Sequence, residues 1–227
     1  MKPRVSIFVT CLVDQLFPRA GMAMADVLEH AGCEIEFREG QTCCGQPAFN
    51  SGFAREAREV EQYFLKVFEG AEYIVVPSGS CAAMIAHHYS EPDPRIWEFS
   101  QFLVNFLKIE DVGARFEGVV TYHDSCHALR ELRIKDAPRR LLRHVRGLKL
   151  VEMEPAEECC GFGGTFSVKF PDISGAMART KIDAILRTGA QTVVSIDSSC
   201  LMQIQGALSR AGAATGTMHL AEVLASR

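Results

Sequence analysis

Two stretches of this chain bear on chemistry before any fold is assumed. "TCCGQPAFN" at 42–50 and "ECCGFGGTF" at 158–166 each set two cysteines side by side and follow them with glycine. The order Cys11, 31 residues, Cys43–Cys44, 36 residues, Cys81 is followed by Cys126, 32 residues, Cys159–Cys160, 39 residues, Cys200. Eight of the nine cysteines therefore form two matched sets of four, and an odd total suits a disulfide framework poorly. Soft thiolates select zinc, copper(I) or iron–sulfur clusters, and four of them satisfy a tetrahedral zinc ion or a [4Fe–4S] cluster. Zinc sites usually show close C-x-x-C knuckles, which are absent here. Thiols arriving from three separated loops suit a larger inorganic ligand, so one iron–sulfur cluster per set is the first reading, zinc the second and thiol redox chemistry the third.

Adjacent cysteines on a regular strand would point to opposite faces. To aim both at one site the backbone must turn sharply, and Gly45 and Gly161 supply the positive φ such a turn needs. Gly163 and Gly164 let the backbone come close to a bulky group.

The elements that must position these thiols are also written twice. "RVSIFVTCLVD" at 4–14 matches "GVVTYHDSCHA" at 118–128, and "AEYIVVPSGSCAAMI" at 71–85 matches "AQTVVSIDSSCLMQI" at 190–204. Short β-branched runs at 4–10, 34–37, 72–77, 118–123, 148–152 and 192–196 read as buried strands. Helical patterns lie at 19–31, 53–69, 80–89 and 97–108, then at 136–146, 174–188, 199–210 and 218–226. Gly32, Gly70, Gly147 and Gly189 are placed to close helices. This alternation predicts an α/β protein of two pseudo-symmetric repeats, each a small parallel-sheet, Rossmann-like domain. The expected division is 1–112 and 113–227, with the junction in "IEDVGARFE" at 109–117 and the halves packed together. Each cysteine set follows strand ends, so it belongs at the carboxyl edge of its sheet, where open parallel sheets bind ligands.

Composition bounds the partners. The 227 residues are 48% hydrophobic and 23% charged, enough for a full core, and the formal net charge of −4 speaks against nucleic acid. No run reaches the roughly 18 apolar residues of a membrane span. The N-terminus lacks the small-residue cleavage site of a signal peptide, so the expected location is cytoplasmic.

The doubled Cys, Cys-Cys-Gly, Cys pattern resembles the cysteine-rich CCG domain family. That family includes the cysteine-rich subunit of heterodisulfide reductase and the iron–sulfur subunits of glycolate and glycerol-3-phosphate oxidoreductases. "ECCGFGGTFSVKFPDIS" at 158–174 is most similar to its lactate-utilisation branch. The resemblance covers nearly the whole chain. It implies a cytoplasmic iron–sulfur subunit of a complex that oxidises L-lactate, or a related small 2-hydroxy acid, to the 2-oxo acid. It also implies a ferredoxin-type subunit and a third small subunit as partners. The cluster ligands would be Cys11, Cys43, Cys44 and Cys81 in one half, and Cys126, Cys159, Cys160 and Cys200 in the other. The fullest form of the family motif ends in C-x-x-C, whereas this chain has Ser78 in "SGSC" and Asp197 in "DSSC". That departure bears on the cluster type and on direct disulfide cleavage. Two competing readings are a thiol–disulfide reductase acting at Cys43–Cys44 or Cys159–Cys160, and a zinc-stabilised interaction module.

Other residues admit more than one role. His123 and His127 flank Cys126: a histidine here serves as a metal ligand, as a proton donor, or as hydrogen bonding that orients the loop. Cys126–His127 also has the make-up of a nucleophile pair. Cys33 has no counterpart and reads as a packing cysteine. "GFGG" is neither a dinucleotide nor a Walker motif. The basic "RIKDAPRRLLRHVRG" at 133–147 reads as a solvated helix face, and His87 and His88 as exposed near a helix end. No residue stands out as a hydride or proton acceptor, so substrate oxidation is expected on a partner or at a shared interface.

Overall fold

The computed structural model describes residues 2–227. The first half runs β1 (Arg4–Ile7), α1 (Cys11–Leu16), α2 (Pro18–His30), β2 (Glu34–Phe37), α3 (Gln46–Asn50) and α4 (Ala54–Val67). It continues through β3 (Tyr73–Val76), α5 (Gly79–Ala83), β4 (Ile96–Glu98) and α6 (Phe99–Gln101). Helices α5 and α6 each run on into a π-helical turn, Met84–His88 and Phe102–Phe106. The second half repeats the plan with β5 (Arg115–Tyr122), α7 (Cys126–Arg130), α8 (Asp136–Arg143), β6 (Arg146–Leu150) and α9 (Thr165–Lys169). It closes with α10 (Pro171–Arg187), β7 (Thr192–Ser195), α11 (Ser198–Arg210), β8 (Gly216–His219) and α12 (Leu220–Ala225).

Each half is a four-stranded, wholly parallel sheet, ordered β2-β1-β3-β4 and β6-β5-β7-β8. The registers correspond: Ile7 pairs with Val75, and Tyr122 with Val194. In this order the chain reverses its direction of winding between β1 and β3, and again between β5 and β7. A crevice opens at such a switch point beyond the carboxyl ends of the strands.

Alternation along the strands sorts side chains between layers. Val5, Ile7 and Val75 face inward to a central core with α2, whereas Phe8, Ile74 and Val76 face outward to α4 with Phe64 and Phe68. In the second half Val120, Tyr122 and Val194 face the same central core, and Val193 faces an outer core with Ile182, Ile185 and Ile204. The central core is therefore shared. Met24, Val27 and Leu28 of α2 lie in it with Leu220 and Leu224 of α12, and Phe102 and Leu103 with Leu141 and Leu142 of α8. No helix among the described residues is long and apolar enough to cross a membrane.

Several expectations change. β4 and β8 occupy the starts of segments expected to be helices over 97–108 and 218–226. Both are short edge strands that run without a break into α6 and α12, so strand and helix read as one segment. The expected strand 4–10 ends at Ile7, and 118–123 and 148–152 start earlier, at Arg115 and Arg146. The short helices α1, α3, α7 and α9 stand where loops were expected; each has five or six residues, below the length at which periodicity is readable. Helix α8 stops at Arg143, so Gly147 is a strand residue with φ of 82° and not a helix cap. Gly32, Gly70 and Gly189 do close helices with positive φ. Nor is the basic stretch 133–147 wholly solvated. Arg139 is buried, donating from its two Nη atoms to Asp124 at 2.7 and 2.8 Å and from Nε to Glu152 at 2.8 Å. His87 and His88 are exposed, and Cys33 is buried in the central core away from the other thiols.

Candidate metal centre

Elements of both halves bring the eight paired cysteines to one place. Cys11 and Cys126 are the first residues of α1 and α7, reached directly from β1 and β5. Cys81 and Cys200 occupy the third positions of α5 and α11, after β3 and β7. The cysteine pairs stand in the loops that leave β2 and β6. Gly45 and Gly161 turn those loops with φ of 85° and 83°. The first loop is held by Gln41, which accepts from the Val9 N–H at 3.0 Å and donates to the Ile7 carbonyl at 2.8 Å. The second is held by the Asp124–Arg139–Glu152 network, with the guanidinium 5.0 Å above the Tyr122 ring.

All eight thiols line a single cavity of about 230 Å³. Thr10, Gln46, Ser80, Ser125, His127, Phe162 and Asp197 share its wall. Cys44, Cys160 and Cys200 are buried, and the other five are half-buried. Two centres, one per half, were expected at two sheet edges; pseudo-symmetry turns both edges toward the same space.

Within each set one sulfur ionises first. Contacts from Cys11 and Cys44 hold the Cys43 thiol well below its usual range, aided by the Gly45 N–H, which donates to Cys43 Sγ at 3.4 Å. Contact with Cys43 and burial push Cys11 up, and contacts with Cys43 and Cys81 do the same to Cys44. The second set repeats this: Cys126 and Cys160 lower Cys159, the Gly161 N–H donates to Cys159 Sγ at 3.4 Å, and Cys126 and Cys160 are raised. Clustered sulfurs that share protons in this way are a donor set for a soft metal, which replaces those protons. The residues fit a thiolate-bound centre.

The two departures from the family motif meet each other. Asp197 is buried and accepts from Ser78 Oγ at 2.8 Å, Ser80 N at 3.0 Å, Ser80 Oγ at 2.8 Å and Ser125 Oγ. Ser78, Ser80, Ser125 and Asp197 form a polar clasp between the halves. Gly79 belongs to the same seam: a Cβ there would lie 2.6 Å from Ala128 Cβ.

The histidines separate. His127 lines the cavity, with Nδ1 3.5 Å from Cys126 Sγ and Nε2 3.6 Å from Glu131. His123 is completely buried behind the wall. Burial, with the nearby Lys181 ammonium, pushes its imidazole down to about 3, so it is neutral. Its ring and the sulfurs of Cys160 and Cys200 place ligand atoms within 4.8 Å of one another. Lys181 and Asp197 were not expected to act here. No motif pointed to Lys181, which lay within the helical pattern expected over 174–188.

Comparison with known proteins agrees with this description. The cysteine-rich domain family, CCG, matches residues 5–86 and 120–205. The chain is 47% identical over 237 residues to lactate utilization protein A of Geobacillus kaustophilus, covering 99% of both chains. It is 48% identical over 236 residues to the protein of the same name from Anoxybacillus flavithermus, covering 98% of this chain and 99% of that one. A crystal structure of a hypothetical protein from Helicobacter pylori aligns over 97% of this chain with a TM-score of 0.65 and 12% identity. The chain spans about half of that structure's length, 48%, and the likeness concerns the fold alone. With both repeats matched and relatives at this identity over almost its full length, the chain belongs to the CCG cysteine-rich domain family.

Proposed function

We propose that this chain is the iron–sulfur electron-transfer subunit of a system that oxidises L-lactate, or a related 2-hydroxy acid, to the 2-oxo acid. The observation that carries the reading is the convergence of eight thiols on one cavity. Cys11, Cys43, Cys44 and Cys81 hold one centre, and Cys126, Cys159, Cys160 and Cys200 the other. An iron–sulfur cluster, when bound, accepts and releases single electrons. Two such centres match the two electrons that leave a 2-hydroxy acid on oxidation. The lactate substrate is taken from the names of the relatives.

The protein supplies the rest. Paired loops turned at Gly45 and Gly161 present the sulfurs, and backbone N–H groups donate to Cys43 and Cys159. The Asp197 clasp keeps the halves, and with them the centres, at constant separation. A ferredoxin-type subunit and a third small subunit are the proposed partners in the cytoplasm. Exposed apolar side chains beside the cysteine loops, Phe49 and Phe53 in one half and Val168 and Phe170 in the other, support a docking role. Repeats of 1–112 and 113–227 are the proposed units, although their core is shared.

A specific distance favours a second reading, a zinc-stabilised module. Cys11 Sγ and Cys43 Sγ are 3.8 Å apart. Sulfurs bound at about 2.3 Å to one tetrahedral ion stand about 3.8 Å apart. Iron, zinc and acid-labile sulfide in protein purified without oxygen decide between the two. Brown protein with about four iron and four sulfide per half, and half that content in Cys160→Ser, is the expected result. Colourless protein with about two zinc ions per chain replaces the redox role with a structural one.

A further inference from the structure

The two halves differ most sharply just behind the cysteines. Phe8 N donates to the Val75 carbonyl at 3.0 Å and His123 N to the Val194 carbonyl at 2.8 Å, so these residues are equivalent. Gly45 approaches the Ala57 carbonyl and Val60, and Gly161 approaches the Ser174 carbonyl and Met177. Seven residues beyond Ala57 and Ser174 on their helices stand Phe64 and Lys181, which are therefore equivalent too. In the first half Phe8 and Phe64 meet edge to face at 5.0 Å, an apolar backing for Cys44 in the same cluster. The second half replaces both rings, giving His123 and Lys181.

A buried polar pair needs partners. Lys181 has them: Nζ donates to the Ala156 carbonyl at 3.0 Å and the Pro155 carbonyl at 3.4 Å, which ties down the loop leading to Cys159. His123 has none. Neither Nδ1 nor Nε2 has a hydrogen-bond partner, although the residue is fully buried. Buried polar groups are almost always satisfied. Ligand atoms of the ring, Cys160 and Cys200 lie within 4.8 Å of one another, and the Lys181 ammonium stands nearby. An imidazole beside two thiols, with no hydrogen bond to turn it elsewhere, is a nitrogen ligand for a soft transition-metal ion.

We propose that the second centre is bound by nitrogen as well as sulfur, with His123 serving as a ligand beside Cys160 and Cys200. The first centre has Phe8 in that place and is bound by sulfur alone. The centres are then chemically distinct. This inference rests on the reading that the cysteine loops hold metal.

The test uses the full chain loaded anaerobically with iron and sulfide, partly reduced, and grown with ¹⁵N-histidine. Pulsed EPR should detect one directly coupled histidine nitrogen, on one of the two centres and not on the other. His123→Phe should abolish it, and so should His123→Phe with Lys181→Phe, which restores the apolar pair of the first half and guards against misfolding. His127→Ala should leave it intact. Chelator should strip the second centre of the double variant about tenfold faster than that of the unaltered protein. Cluster-loaded protein without a coupled nitrogen, or a coupling that survives His123→Phe, overturns the histidine ligand and leaves the electron-transfer role standing. Protein that takes up no metal overturns both.

Discussion

At the scale of single residues, buried acids do unlike work. Asp197 gathers four donors from two segments, so Asp197→Ala strands hydroxyls and an N–H in the seam between the halves. A loss of about 3 kcal/mol in urea unfolding of the metal-free protein is expected. Glu98 is fully enclosed at the start of α6, where it accepts from Ser100 N at 2.9 Å and Gln101 N at 3.2 Å. Burial pushes its carboxyl from an ordinary 4.5 up to about 7, against the pull of those hydrogen bonds. The folded chain thus keeps a proton that the unfolded chain releases. Its contribution to stability is full below about pH 4.5 and is lost as pH rises through about 7, by up to about 3 kcal/mol. Glu98→Gln should flatten that slope in melting curves taken between pH 4.5 and 7.5.

At the scale of elements, the turns after the cysteine pairs are alike in φ and unlike in space. A Cβ on Gly45 would stand 3.4 Å from the Ala57 carbonyl, whereas on Gly161 it would stand 2.6 Å from the Ser174 carbonyl and 3.0 Å from Met177. Gly45→Ala should cost about 1–2 kcal/mol for its left-handed backbone, and Gly161→Ala about 2–4 kcal/mol because overpacking is added. Denaturant midpoints of the two variants compare them directly. The need for positive φ at both positions was readable from Cys-Cys-Gly, since no other residue makes that turn cheaply. The short helices that open at Cys11 and Cys126 were not readable. Their stability comes from the wall they build with the opposite half, not from a periodic face of their own.

For the molecule as a whole, the shared central core outweighs the boundary near residue 112. α2 and the Phe102–Phe106 turn of one half bury their apolar faces on α12 and α8 of the other. Residues 1–112 or 113–227 expressed alone would expose Met24, Phe102, Leu142 or Leu220 to water. Each should aggregate or self-associate, while the two co-expressed should elute as a 1:1 complex from size-exclusion chromatography.

By itself the sequence determined the repeat, the parallel α/β plan, the two sets of four thiols and the glycine turns that aim them. These are carried by local spacing, by strand and helix periodicity, and by the backbone freedom of glycine, all properties of short stretches of chain. Tertiary structure alone decided that both sets open into one cavity, and that Ser78 reaches Asp197 across 119 positions. It also decided that His123 stands without a partner beside Cys160 and Cys200, where its counterpart Phe8 rests on Phe64. Such contacts depend on how the two sheets are turned about their common core, and no periodicity within either repeat records that rotation.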